Sequence, residues 1–267
     1  MVIIIIVVGA LALIAGLAAN HFLRGRRLGE DVEGLSVPDL VAPLTMLTIV
    51  ILAFTLVTAS SSYGKAEEAA RLEAGSMEDA YQVIEYAPAA QRERLKADII
   101  CYARAVRSLE WPAMAHSHRS DVPSAWSADL HTTLMETRGN FPSFGLLVSA
   151  NNDRSLARLT RLAESGTSVP PPIMFFLLGT MALTVTTLAL FLPTGRKRKE
   201  VAVLLVLTTL FLGALLIIQD AQYPFSGAIK LEPTAIDRVD HVLTEDFQAR
   251  YGPGRLPCDS HGRSVRA

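Results

Sequence analysis

Four long runs of apolar residues, arranged in two pairs, dominate the pattern of hydrophobic and polar positions along the chain. They cover residues 2–19, 40–59, 173–192 and 201–218, and no charged residue interrupts any of them. About 20 helical residues, rising about 1.5 Å each, cross a hydrocarbon core about 30 Å thick. A charge at the bilayer centre costs roughly 2.5–3.5 kcal/mol, so charge-free runs of this length predict four transmembrane helices.

The segment between the two pairs is about 110 residues long, which is enough for a domain of its own. Apolar residues recur in it at helical spacing, as at Leu95, Ile99 and Val106, and no part alternates like a strand. After the last apolar run, residues 233–250 also have the pattern of a helix. The residues after Tyr251 are rich in Gly, Pro, Ser and Arg, so we expect them to be poorly ordered.

These patterns predict an all-α membrane protein with four transmembrane helices in two hairpins and a helical extramembrane domain between helices two and three. The first hairpin occupies residues 1–59, the helical domain 60–170, and the second hairpin 171–219. An extramembrane tail follows over residues 220–267.

The short loops within the two hairpins are rich in basic residues. Cytoplasmic loops collect Lys and Arg, and short loops follow this rule best. Both loops lie on the same side of the membrane, because two helices separate them. The sequence therefore predicts that the N-terminus, the middle domain and the tail are extracytoplasmic at the plasma membrane. The basic residues concerned are Arg24, Arg26 and Arg27 in the first loop and Arg196, Lys197, Arg198 and Lys199 in the second.

Composition narrows the function classes. The chain is 50% hydrophobic with a net charge of −1, so no basic excess indicates nucleic acid as a partner. No nucleophile–base pattern, phosphate loop or nucleotide fingerprint is present, and we expect neither an enzyme nor a bound cofactor. His116 and His118 lack the further ligands that a metal site needs. The expected partners are the lipid bilayer and further copies of the chain.

Threonines recur on the second and third apolar runs. On the second run they share one side of a helix, and on the third they follow the spacing i, i+4, i+7. Such hydroxyls line a wet pore in some membrane proteins, and in others they let helices pack and hydrogen-bond to one another. Both interpretations stay open for this set. The candidates are Thr45, Thr48, Thr55, Thr58, Thr180, Thr184 and Thr187.

Asp220 follows the fourth apolar run, at the expected membrane boundary. An ionisable residue there either selects ions or marks the interface. The two cysteines, Cys101 and Cys258, share the outer side in the predicted orientation, where an oxidising environment permits a disulfide. A buried free thiol at Cys101 is the alternative, because its neighbours Ile99 and Ile100 are apolar.

Three segments in order resemble a bacterial membrane family of unknown function that is described as bestrophin-like. The resemblance spans about residues 40–242. It rests on LAFTLVTASSSYGKAEEAARLEAGSM from Leu52, SLEWPAM from Ser108 and PFSGAIKLEP from Pro224. The positions that match the recurrent motifs are Glu73, Glu110, Trp111, Pro112, Pro224, Phe225, Ser226 and Gly227.

The resemblance implies a helical homo-oligomer and an ion channel, with anions as the expected species. With the threonine stripe it gives the first functional hypothesis, an oligomeric channel whose second helix presents the face of Thr48 and Thr55 to the pore. The alternative is a non-conducting scaffold or sensor whose extramembrane domain binds envelope components or proteins.

Overall fold

The computed structural model describes residues 1–23, 37–137, 141–166, 168–192 and 198–265. About 80% of the structure is helical, and within these ranges no strand forms. The all-α prediction is therefore confirmed. The basic loop residues Arg24, Arg26, Arg27, Arg196 and Lys197 lie outside the described residues.

Helices account for nearly all of the regular structure in the described ranges. A 3₁₀ turn (Ile84–Tyr86) follows α2, and a π-helical turn (Val106–Glu110) joins α3 directly to α4. The α-helices are α1 (Val2–Leu23), α2 (Val37–Val83), α3 (Ala89–Ala105), α4 (Trp111–Met114), α5 (Val122–Glu136), α6 (Phe144–Ala163), α7 (Pro171–Leu190), α8 (Arg198–Ala221) and α9 (Thr234–Tyr251).

The chain divides into two compact units. Unit 1 comprises residues 1–61 and 167–222, and unit 2 comprises residues 62–166 and 223–267. Helix α2 contributes residues to both, because it continues for 47 residues without a break. Within the described ranges, four helices are long and apolar enough to cross a membrane. They include the predicted runs 2–19, 40–59 and 201–218, and the run 173–192 extends two residues past the end of α7.

Close packing of small residues holds unit 1 together. A Cβ atom added at Gly16 of α1 would lie 2.6 Å from both Ala189 Cβ and Thr186 O of α7, so only glycine permits this approach. At the end of the same pair, Asn20 donates hydrogen bonds to Ala189 O at 3.0 Å and Leu190 O at 2.7 Å. These bonds satisfy carbonyl groups that the end of α7 leaves without a helical partner.

Unit 2 is built around α3, which is buried along most of its length and packs against α5 and α9. Ion pairs attach α9 to α3 and to the π-helical turn: Arg104 Nε of α3 lies 3.2 Å from Asp240 Oδ1, and Arg107 Nη1 of the turn lies 2.8 Å from Asp237 Oδ1. Apolar residues of α9, such as Phe247, complete the core.

The segment after α9, here called the C-terminal strap (residues 252–265), differs from the sequence-based expectation of poor order. Trp126 Nε1 donates to Gly262 O at 2.6 Å, and Cys258 is bridged to Cys101. Asp259 Oδ1 accepts two backbone N–H groups of the strap's own turn. Composition alone misses this order, because the contacts that fix the strap come from residues more than a hundred positions away.

Candidate functional site

The most concentrated chemistry in the described residues is a buried cluster of charges in unit 2, here called the Glu73–Arg161 cluster. Both side chains are fully buried. Arg161 donates from Nε to Glu73 Oε2 at 2.7 Å and from Nη2 to Glu110 Oε2 at 2.8 Å. Arg158 donates from Nη2 to Glu110 Oε1 at 2.6 Å, and Tyr102 donates from its hydroxyl to Glu73 Oε1 at 2.5 Å. The cluster consists of these five residues.

Electrostatics favour the charged forms of the cluster's arginines. Burial alone lowers the pKa of Arg161, but the negative charges of Glu73 and Glu110 outweigh it and hold the pKa above its usual range. Burial raises the pKa of the Tyr102 hydroxyl, and the neighbouring Glu73 carboxylate adds to this effect. Arg161 therefore stays charged and Tyr102 stays neutral, so Tyr102 is the hydrogen-bond donor of the pair.

Local helix geometry brings these groups together. Arg154, Arg158 and Arg161 are spaced i, i+4, i+7 and therefore share one side of α6. The π-helical turn at Val106–Glu110 inserts an extra residue into the helical repeat immediately before Trp111. Arg154 extends the basic row, with its guanidinium 4.2 Å from the Tyr102 ring centroid. Sequence reasoning identified the two glutamates and missed the arginines, although the row on α6 was visible as a spacing.

The family motifs meet in space although they are far apart in the chain. The rings of Trp111 and Phe225 pack edge to face with centroids 5.2 Å apart. Trp111 Nε1 donates to Leu231 O at 3.0 Å, and Leu231 N donates to Pro224 O at 2.7 Å. Gly227 has φ +101°, a left-handed conformation that favours glycine. These contacts hold the turn of residues 224–227 against Trp111, the residue that follows Glu110.

The remaining motif positions lie near this contact in the chain and have simpler surroundings. Pro112 is exposed in the first turn of α4 and has no backbone N–H to donate to the π-helical turn before it. Ser226 is half-buried and donates its backbone N–H to Tyr223 O at 3.1 Å. These positions shape the chain and supply no reactive group to the cluster.

Several candidate threonines lie inside unit 1. Thr48 and Thr184 are fully buried, and their hydroxyl oxygens are 2.9 Å apart between α2 and α7. Thr55 is buried too, whereas Thr58 is exposed. Thr55 and Thr58 each donate to the carbonyl four residues earlier. Thr48 and Thr184 lie equally close to such a carbonyl, so one of the two donates to its carbonyl and the other donates to its threonine partner. In a single chain the Thr48/Thr55 face is therefore closed by packing and does not open to solvent.

The other three candidate threonines are partly buried. Thr180 donates its hydroxyl to Leu177 O at 3.0 Å, and Thr187 donates to Leu183 O at 2.7 Å. Thr45 and Asp220 are half-buried, Thr45 near the start of α2 and Asp220 in the last turn of α8. The predicted role of Asp220 as a boundary acid stays a prediction. Within the described ranges, no group of three or more His, Cys, Asp or Glu residues is placed to hold a metal ion.

Cys101 and Cys258 lie at bonding distance, with their Cα atoms 5.8 Å apart. This is the geometry of a disulfide, and it attaches the C-terminal strap to the buried middle of α3. The sequence left open a disulfide or a buried free thiol at Cys101, and the structure has the disulfide.

The interactions within the Glu73–Arg161 cluster indicate a structural role. Its carboxylates are occupied by guanidinium and hydroxyl donors, and its glutamates have no exposed surface. A buried ion pair with satisfied hydrogen bonds specifies one packing arrangement and costs several kcal/mol to break from one side. The motif glutamates therefore connect α2, α6 and the π-helical turn of unit 2.

Comparison with family models identifies the family of the chain. A family model described as a bestrophin-like domain matches residues 6–236, which is most of the chain. The chain belongs to the bestrophin-like family. The sequence-based resemblance is thus confirmed, and the membrane location that its apolar helices predict agrees with it.

Solved structures of bestrophin homologues have the same fold as this bestrophin-like protein. One single-residue variant of a bacterial bestrophin homologue from Klebsiella pneumoniae matches with a TM-score of 0.71 at 12% identity, covering 91% of this chain and 98% of that one. A second variant matches with a TM-score of 0.72 at 12% identity, covering 92% and 96%. At this identity the likeness establishes the fold. No curated protein sequence matches the chain.

Proposed function

We propose that this bestrophin-like protein assembles from identical subunits and conducts ions across the membrane, with α2 of each subunit lining the path. Membership of the bestrophin-like family is the observation that carries the proposal, and the shared fold supports it. Anions are the species to test first, because the family resemblance implies them.

The exposed side of α2 supports the proposal that this helix lines the ion path. Phe54 is 71% exposed and Val57 is 66% exposed, and the same open side continues into the exposed hydroxyls of Thr58 and Ser61. Hydroxyl groups gain free energy from contact with water that lipid tails do not offer. In this proposal Thr58 faces the path, while Thr48 and Thr55 hold α2 inside its own subunit.

Single-channel recording tests the proposal directly. The purified protein in planar bilayers should give unitary currents, and Thr58→Leu should change their size, because it removes a hydroxyl from the path. Thr48→Val is the matched control: it should lower thermal stability by removing the bond to Thr184 and leave the unitary current unchanged. A wild-type protein that gives no current at any voltage, pH or salt concentration contradicts the proposal.

A shallow apolar groove of about 390 Å³ on unit 2 supports assembly of identical subunits. It runs between α2 and α6, and Leu72 and Leu156 in its lining are more than half exposed. Exposed leucines that cluster on one face are typical of surfaces that bind another protein. We assign this face to contact with a second copy of the chain.

We further assign unit 2 to the extracytoplasmic side of the plasma membrane. The basic residues in both hairpin loops favour this orientation, and so does the Cys101–Cys258 disulfide, since such bonds persist in oxidising compartments. Reporter fusions at Arg26 and at Ser120 should give signals from opposite sides of the membrane. A cytoplasmic signal at Ser120 contradicts the orientation and leaves the conduction proposal standing.

The scaffold alternative differs in its expected partner. A folded unit 2 that binds envelope components would be recovered from native membranes with a stable partner of another sequence. Crosslinking of native membranes separates the two proposals: a symmetric assembly of this chain alone favours the channel, and a heteromeric complex without currents favours the scaffold.

A further inference from the structure

Asp98, on α3, is a buried acid outside the Glu73–Arg161 cluster. Its side chain is 3% exposed, and its Oδ2 atom has no hydrogen-bond partner among the residues that the structure describes. A buried carboxylate normally pairs with a cation or accepts several hydrogen bonds, because leaving it charged and unpaired is costly. Asp98 therefore stands out among the buried polar groups of unit 2.

The cation that acts on Asp98 pairs with another acid. Arg94, one turn earlier on α3, has its Nη1 atom 3.4 Å from Glu136 Oε2 of α5, and both of these side chains are about half exposed. Asp129, also on α5, faces Asp98 with a like charge. Arg94 and Asp129 are the charged groups of the described residues that act on Asp98 from the two helices.

Burial is the main cause that disfavours the ionised form of Asp98. It raises the pKa of this carboxyl to about 7, with Arg94 opposing the rise and Asp129 adding to it. The side chain therefore changes charge near neutral pH, whereas an ordinary aspartate is ionised throughout that range.

We infer that Asp98 is a proton-binding switch at the contact between α3 and α5. The protonated side chain is neutral and tolerates its burial, so the two helices stay closed. The ionised side chain lacks a partner, and α5 loosens so that water reaches the carboxylate.

The position of α5 links this switch to the C-terminal strap. Trp126, on α5, donates its indole N–H to Gly262 O at 2.6 Å. Loosening of α5 lengthens this bond, so the strap responds to the same proton. The disulfide at Cys258 keeps the strap attached while it moves. The switch depends on unit 2 alone and is independent of whether the protein conducts ions.

Amide hydrogen exchange on the full-length protein tests the switch. Exchange in residues 126–134 and in the strap, corrected for intrinsic rates, should rise at least a few-fold between about pH 5.5 and about pH 8.5. The midpoint should lie near pH 7. Asp98→Asn should abolish the pH dependence, and Asp153→Asn, which removes an exposed acid on α6, should leave it unchanged.

Two further variants keep the test decisive if Asp98→Asn does not fold. Asp129→Asn removes the like charge and should move the midpoint to lower pH, whereas Arg94→Gln removes the opposing cation and should move it to higher pH. Opposite shifts identify Asp98 as the titrating group. Midpoints that stay in place in both variants, or a pH dependence that persists in Asp98→Asn, overturn the inference.

Discussion

Arg161 is a fully buried guanidinium whose carboxylate partners come from two separate elements, Glu73 on α2 and Glu110 on the π-helical turn. Removing one member of such a group leaves the others charged and unpaired in a low-dielectric interior. Exposed pairs behave differently, because water solvates each partner when the other is lost. At the scale of single residues, the burial of a charged pair therefore decides how much stability is lost when one partner is removed.

We expect Arg161→Met to destabilise the protein by about 3–5 kcal/mol, because it leaves the buried Glu73 without its cation and Glu110 with Arg158 alone. Arg71→Met, which removes an exposed pair with Glu67, should change stability by less than about 0.5 kcal/mol. Thermal unfolding of both variants in the same detergent measures the difference. Equal melting temperatures would show that the cluster does not stabilise unit 2.

Asp98 gives a pH prediction at the same scale. Its pKa is about 7 in the folded chain and about 3.9 when unfolded, so the folded state binds more protons between these values. Stability should therefore fall as pH rises from about 4 to about 7 and then level off. The difference in melting temperature between wild type and Asp98→Asn isolates this term. A difference that is constant with pH would contradict it.

At the scale of elements, the C-terminal strap contains no helix and is held in place by contacts with α3 and α5. Its turn approaches α3 so closely that a Cβ atom at Gly262 would lie 2.6 Å from Ala105 Cα. The disulfide, the Trp126 bond and this approach fix the strap at three points. Its sequence, rich in glycine and proline, contains none of this information, since the order depends on partners supplied by α3 and α5.

Gly262→Ala should displace the strap and make the disulfide easier to reduce, because the added methyl group collides with α3. Gly254→Ala is the matched control: both glycines have positive φ, +78° and +79°, but only open space surrounds Gly254. Reduction kinetics followed by thiol labelling compare the two. Similar rates in both variants would attribute the effect to backbone strain instead of packing.

At the scale of the whole molecule, the sequence predicted the features that depend on composition and on the spacing of apolar residues. Each of the four membrane runs matches a helix of the structure to within two residues, because bilayer length leaves a strong signal in hydropathy. The continuity of α2 fits the sequence as well, since neither Pro nor Gly occurs from Leu44 to Tyr63. The arginine partners of Glu73 and Glu110 were missed, because no period in the sequence connects α6 with α2.

Assembly belongs to this scale as well. If the groove between α2 and α6 contacts a second copy, Leu156→Lys should weaken the oligomer, because it places an ammonium group in an apolar contact. Val242→Lys, at an exposed apolar site on α9, should leave assembly unchanged. Native mass spectrometry of the detergent-solubilised protein counts the subunits. An intact oligomer in Leu156→Lys would show that the subunits contact each other through another face.

The bond between Cys101 and Cys258 has a consequence for biosynthesis. Its second sulfur follows all four candidate membrane helices in the chain. The ribosome must therefore complete all four of these helices before the ring can close. Covalent closure is then a late step, and a pulse-labelled nascent population should pass through a fully inserted, reduced precursor.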